Sequence, residues 1–82
     1  MNRVVPAAEL DRATEELTSA LAKKSSAVLK LGRDSFYRQQ DLEFRAALEY
    51  LHSQLTLVTQ SEDAQEGVRA FLEKREPEFK GR

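Results

Sequence analysis

The only histidine of this chain, His52, is the residue whose type best suits a general base or a metal ligand. Either role requires partner side chains that converge on the imidazole. Glu49 and Gln54 lie near it in sequence, but the position four residues later is Thr56 and not an acid. We therefore predict that His52 is a solvated surface or boundary histidine.

The carboxylates are a second possible source of chemistry, with 14 acidic residues set among 13 Lys and Arg residues. General acid–base catalysis needs a carboxylate that is partly removed from water in a pocket. Here the acids are interspersed with basic residues, so we interpret them as solvated charges on helix surfaces. Phe36, Tyr37 and Arg38 combine two rings with a cation, but no basic patch surrounds them. Packing in a core and its rim is therefore favoured over a nucleic-acid surface.

The sequence lacks the motifs that acyl or phosphoryl chemistry uses. It contains no glycine-rich phosphate loop, no nucleophile elbow and no glycine-preceded pair of amides that could stabilise an oxyanion. Without cysteine, it forms neither a disulfide framework nor a thiolate metal site. The residues alone indicate a helical interaction module rather than an enzyme.

Length and composition favour long helices in one small domain. Eighty-two residues are near the lower limit at which a single core is stable. One third of the residues are charged, and only three glycines and two prolines occur. The net charge of −1 provides no basic field for nucleic acid, and no apolar run approaches the roughly 20 residues of a membrane span. We expect a chain that binds neither nucleic acid nor a membrane.

Hydrophobic periodicity predicts four helices after an extended segment over residues 1–6. That segment ends in Val4, Val5 and Pro6, which favour extended backbone, and it is either the remnant of a strand or a frayed terminus. The helices are predicted over residues 7–24, from a cap at Ser25–Ser26 to about residue 39, from a cap at Asp41 to about residue 59, and from a cap at Ser61 to a stop at Pro77.

Two features of these helices suggest contact with other surfaces. Gly32 falls inside the second helix, which either the close approach of another element or a break in the helix would explain. The third helix has the most regular apolar stripe of the chain: Phe44, Ala47, Leu48, Leu51, Leu55 and Val58. Because so few helices bury only part of such stripes, we expect the chain to self-associate.

The fourth helix has the most specific pattern. Its start carries the acids Glu62, Asp63 and Glu66, which suit the positive end of the helix dipole, and Lys74 and Arg75 are placed in its last turn. From residue 66 the chain reads Glu-Gly-x-x-Ala-Phe-x-Glu-Lys-Arg-x-Pro-x-Phe. This pattern resembles the closing helix of the enoyl-CoA hydratase/isomerase (crotonase) family. Residues 2–6 and 31–39 are similar to further segments of that family, the latter to its enoyl-CoA hydratase domain-containing branch.

The resemblance implies a fold and a division of labour. The fold would be all-α, four helices with a short extended segment, with residues 7–82 as the helical C-terminal domain of a crotonase fold. In the family these helices mediate trimer formation and close the acyl-CoA site, whereas the oxyanion-hole amides and catalytic glutamates come from an N-terminal ββα spiral. We therefore expect a lid and assembly part, present as a fragment, a truncated reading frame or a short gene product. By itself it should have no hydratase activity.

The resemblance also implies site residues. By position, Phe71 would wall the CoA and acyl pocket, and Lys74 would meet the phosphate region of CoA. Leu55 falls where some hydratases place an aromatic residue against the acyl chain. The implied ligand is a coenzyme A thioester, with no covalent cofactor, catalytic residue or metal site in the chain. The alternatives are core packing for Phe71 and a helix-dipole interaction for Lys74.

A competing interpretation belongs to another class of protein. It is a free-standing helical adaptor or homo-oligomer, whose groove binds a partner helix and which has no acyl-CoA role. The family interpretation instead predicts a homo-oligomer that acts on acyl-CoA with the rest of an enzyme. It would be cytoplasmic in a bacterium and mitochondrial in a eukaryote. Neither the acyl substrate nor the choice between hydration and isomerisation follows from these residues.

Overall fold

Four α-helices form the chain in the computed structural model, which describes residues 2–82. A 3-10 turn, Ala7–Glu9, leads into α1 (Leu10–Ala22), α2 (Ser26–Gln39), α3 (Phe44–Thr59) and α4 (Glu62–Glu73). No strand occurs within residues 2–82, so the all-α prediction is confirmed. Met1, part of the predicted segment 1–6, lies outside the described residues. None of these helices has both the length and the apolar character needed to cross a membrane.

The predicted serine caps of α2 and α4 are confirmed. Ser25 Oγ accepts a hydrogen bond from the Val28 amide at 3.2 Å, and Ser61 Oγ accepts one from the Ala64 amide at 3.1 Å. These oxygens satisfy amides that the first turn of a helix leaves unpaired.

The predicted cap of α3, Asp41, is wrong. Glu43 caps this helix, because its Oε2 accepts a hydrogen bond from the Ala46 amide at 3.1 Å. Asp41 lies in the turn that closes α2, where the Leu42 amide donates to the Gln39 carbonyl at 3.1 Å. The helix can therefore begin only after that turn is complete.

Neither sequence-based explanation of Gly32 holds within residues 2–82. The α2 helix passes through this residue without a break. A Cβ built on Gly32 would have no heavy atom within 4 Å, so no other element of residues 2–82 approaches it. Gly32 instead lines an open groove between α2 and α3. Because glycine has no side chain, the groove surface is bare at this position.

The helices form an elongated arrangement rather than a compact one. Helices α2, α3 and α4 pack on one another, whereas the main contact of α1 is with the 3-10 turn before it. The radius of gyration is 16.2 Å, compared with about 12 Å for a compact domain of this length. The accessible surface is 7153 Å², roughly 2,000 Å² more than a compact monomer of this mass exposes. Much of the surface that a core would normally cover is therefore open.

Many large apolar side chains are exposed. Among the described residues, the buried apolar side chains are only those of Ala47 and Ala70. Phe36 and Tyr37 pack edge to face with ring centroids 5.4 Å apart, yet both are more than half exposed. The predicted placement of these rings in a core is therefore wrong for the single chain. The expectation that one chain buries only part of its stripes is confirmed.

Candidate functional site

Phe71 lies on an outward-facing apolar surface of α4. Its side chain is 81% exposed, and Val68 and Leu72 beside it are 62% and 73% exposed. We call these three residues the outer face of α4. Core packing, the alternative explanation of Phe71, is therefore wrong within this chain, and the ring is free to contact a ligand or another surface.

Lys74 lies just beyond the last turn of α4, whereas we predicted it within that turn. The helix ends at Glu73, and Lys74 adopts left-handed backbone angles, φ 55° and ψ 44°. The Lys74 amide donates to the Phe71 carbonyl at 3.3 Å, and the Arg75 amide donates to the Ala70 carbonyl at 3.0 Å. This pattern is a Schellman cap, which usually has glycine at the left-handed position. Lys74 and Phe71 consequently do not share a regular helical face, although they are three residues apart.

Leu55 lies on a different surface from the other two predicted site residues. It is 59% exposed on α3 and lines the α2–α3 groove, about 320 Å³, with Leu31, Gly32, Phe36, Leu51 and Val58. Neither Phe71 nor Lys74 lines that groove. The described residues of one chain therefore do not bring the three together. His52, also on α3, is exposed as predicted.

Asp63 is a polar residue whose role sequence reasoning missed. We interpreted the carboxylates as surface charges, but the Asp63 side chain is only 1% exposed. Its Oδ2 accepts hydrogen bonds from Ser25 Oγ at 2.6 Å and from the Gly81 amide at 2.9 Å, and its Oδ1 accepts one from the Lys80 amide at 2.7 Å. The bond from Ser25, together with the backbone amides, lowers the pKa of this carboxyl below its ordinary value. Asp63 therefore joins the start of α2, the start of α4 and the C-terminal residues.

Glu66 holds the same C-terminal residues one turn further along α4. Its two carboxylate oxygens accept hydrogen bonds from Arg75 Nη1 and Nη2 at 2.5 and 3.2 Å, and Oε1 also accepts the Glu78 amide at 3.1 Å. Such a two-pronged guanidinium–carboxylate pair fixes direction as well as distance. The Arg75 contact, reinforced by the Glu78 amide, lowers the pKa of Glu66 to about 2.

These contacts hold residues 75–82, here called the strap, against α4. The strap turns back after Lys74. At its end, the Arg82 carbonyl oxygen accepts a hydrogen bond from the Asp63 amide at 2.8 Å. The Phe79 ring lies 3.7 Å from the position a Cβ would take on Gly67. The sequence signal for this arrangement was the irregular segment after Pro77, because its amides have no helical partner and need acceptors elsewhere.

Acidification should release the Glu66 end of the strap only at very low pH. The pKa of Glu66 is lowered from 4.5 to about 2, so its contribution to stability is present above pH 4.5 and is lost as pH falls through about 2. In ¹H–¹⁵N NMR spectra, the Glu78 amide should titrate with this low midpoint. Glu66→Gln should abolish that step, whereas a midpoint near 4.5 would contradict the contact.

This chain is similar in sequence to enoyl-CoA hydratases. All of residues 1–82 match the family model described as enoyl-CoA hydratase/isomerase. The 2,3-dehydroadipyl-CoA hydratase of Escherichia coli is 36% identical over 67 residues, which are 82% of this chain and 26% of that protein. The human mitochondrial enoyl-CoA hydratase domain-containing protein 3 is 38% identical over 78 residues, 94% of this chain and 25% of that protein. The chain thus spans about a quarter of the length of these curated relatives.

Solved structures give the same result for the fold. An enoyl-CoA hydratase from Mycobacterium smegmatis superposes with a TM-score of 0.92 at 35% identity, over 96% of this chain and 31% of that one. The human enoyl-CoA hydratase domain-containing protein 3 also gives 0.92, at 33% identity with the same coverage. The four helices therefore form a helical segment of the crotonase fold, and this chain belongs to the enoyl-CoA hydratase/isomerase family.

Proposed function

We propose that this chain is the C-terminal assembly and CoA-lid segment of an enoyl-CoA hydratase/isomerase-family enzyme. The observation that carries the proposal is the exposed Phe71 ring on α4, followed at the end of the helix by the outward Lys74. The family match over residues 1–82, with about a quarter of the relatives' length, supports a segment of a larger enzyme. Its division would be an extended segment over residues 1–6 and a helical domain over 7–82.

The chemistry of these residues suits a coenzyme A thioester. The Phe71 ring offers a flat apolar wall, and a lysine ammonium on its flexible stem pairs with phosphate as a point charge. The carbonyl oxygens of Ala70 and Phe71, which would repel an anion at a helix C-terminus, are already satisfied by the Schellman cap. Lys74 thus provides the positive charge at this end of α4.

The proposed site would be completed by other surfaces. Because Leu55 lines the α2–α3 groove and not a groove with Phe71 or Lys74, a contact of Leu55 with the acyl chain would use a different surface. Other segments of the enzyme or a neighbouring subunit would bring these surfaces around one ligand. This is the arrangement expected of a homo-oligomer, a trimer in our family interpretation. The compartment would be the cytoplasm in a bacterium and the mitochondrion in a eukaryote, as in the name of the human relative.

Removing the ammonium of Lys74 tests the proposal. In the complete enzyme that contains these residues, Lys74→Ala should raise the Kd for crotonyl-CoA about tenfold, because a charge-assisted hydrogen bond to phosphate is lost. Isothermal titration calorimetry measures this change. The matched control is Lys23→Ala, which removes another exposed lysine at a helix C-terminus, that of α1.

The two variants distinguish the CoA-lid function from the competing interpretation, a helical adaptor with no acyl-CoA role. Equal Kd values for Lys74→Ala and Lys23→Ala, with helix content retained in circular dichroism, would contradict a role for Lys74 at the ligand. A crotonyl-CoA turnover that follows the purified 82-residue chain would contradict the assignment of catalysis to other parts of the enzyme.

A further inference from the structure

Helix α4 packs on the rest of the chain with its less hydrophobic side. Asp63 and Ala70 are each 1% exposed, whereas Phe71 and Leu72 are 81% and 73% exposed. At about 100° per residue, the centre of the outer face lies roughly 140° around the helix axis from the side that contains Asp63 and Ala70. The large apolar side chains of α4 thus face outward, while its inward side combines Asp63 and Glu66 with the small residues Gly67 and Ala70. In an ordinary surface helix the large apolar side chains face inward.

Burial of apolar surface would favour the opposite orientation. A rotation of α4 about its own axis would bring its outer face toward α2 and α3, whose Val28, Leu29 and Val58 line a groove together with α4. The observed orientation therefore requires a directional interaction that a rotated helix would lose.

The hydrogen bonds of Asp63 are interactions of that kind, whereas those of Glu66 join α4 to the strap that follows it. Asp63 accepts hydrogen bonds from Ser25, at the start of α2, and from the strap amides of Lys80 and Gly81. Rotation would carry the Asp63 carboxylate away and leave these donors without their acceptor. Hydrogen bonds have preferred lengths and angles, whereas apolar burial has no preferred direction, so the polar contacts can select one rotation.

We infer that Asp63, through Ser25 and the strap amides, forms a polar latch that fixes the rotation of α4 and holds its outer face outward. Asp63 is in this sense a positioning residue for Phe71 and for the following Lys74. The inferred role of the latch does not depend on what the outer face contacts. Only its importance for an acyl-CoA site rests on the function proposed above.

Cysteine labelling can measure the rotation directly, because the chain contains no native cysteine. One thiol is introduced by Ala70→Cys on the inward side and another, in a separate protein, by Leu72→Cys on the outer face. The rates of reaction with a maleimide are compared at dilutions where sedimentation shows single chains. With Asp63 intact, the Leu72→Cys thiol should react at least tenfold faster than the Ala70→Cys thiol.

Asp63→Ala should lower this rate ratio at least tenfold, toward or below one, because α4 then turns its apolar side inward. Asp63→Asn, which retains one acceptor oxygen, should give an intermediate ratio. The matched control is Glu62→Ala, which removes an exposed acid paired with Arg82 at 2.9 Å and should leave the ratio unchanged.

Each remaining outcome decides the question. A ratio near one with Asp63 intact, or a ratio that Asp63→Ala leaves unchanged with its helices retained, overturns the latch. If Asp63→Ala loses its circular dichroism signal, the ratio in Asp63→Asn decides in the same way. Loss of helix in both variants would mean that Asp63 is needed to keep α4 folded, which also overturns a role in rotation. No ligand is used, so these results are separate from the Lys74 test.

Discussion

We predict that this chain self-associates and that Leu48→Glu leaves single chains of 9.3 kDa. Leu48 is 53% exposed on α3, in line with Phe44 and Leu55, so it lies within an uncovered apolar stripe. The excess surface of roughly 2,000 Å² is comparable to the 1,200–2,000 Å² that a stable interface buries in total. An unpaired carboxylate inside that interface would cost several kcal/mol in every copy. We expect the association constant to fall at least about a hundredfold.

Sedimentation equilibrium over a range of concentrations measures this effect. Glutamate is a good helix former, so an exposed Leu48→Glu should leave α3 intact. The matched control is Ser53→Glu, which adds the same charge at an exposed position on the opposite side of α3. If the unchanged chain sediments as a monomer at every concentration, or if both variants associate equally, the apolar stripe is not the interface.

The helices could be predicted from the sequence because their signals are local. The start of α2 follows from Ser25, whose Oγ accepts a hydrogen bond from the amide three residues later. The start of α4 follows from Ser61 in the same way. The error at α3 has a local cause as well. Asp41 is the better cap by residue type, but the turn that ends α2 leaves Glu43 at the start of α3.

The candidate site could be predicted only in part, because its geometry depends on distant contacts. The sequence pattern identified Phe71 and Lys74, but not that the chain reverses at Lys74. The position of Asp63 in the first turn of α4 suggested a dipole interaction, and nothing nearby indicated its partner. That partner, Ser25, is 38 residues away in sequence. The rotation of a helix is therefore less predictable than its existence whenever polar contacts between distant residues determine it.

Ala70→Leu should lower the melting temperature by roughly 5 to 20 °C. Ala70 is 1% exposed, and its carbonyl accepts the Arg75 amide at 3.0 Å, where the strap begins. A larger side chain there must displace α4 or its neighbours. Such overpacking costs about 1–3 kcal/mol, and each kcal/mol shifts the melting temperature of a domain this size by about 4–8 °C.

Thermal unfolding followed by circular dichroism measures the shift, with Val68→Leu as the matched control. That change also adds apolar carbon to α4, but at a position 62% exposed, so the melting temperature should move little. Equal melting temperatures for both variants would mean that the Ala70 side of α4 is loosely packed. A loosely packed helix could turn about its own axis, so the outward position of Phe71 would then depend wholly on the hydrogen bonds of the polar latch.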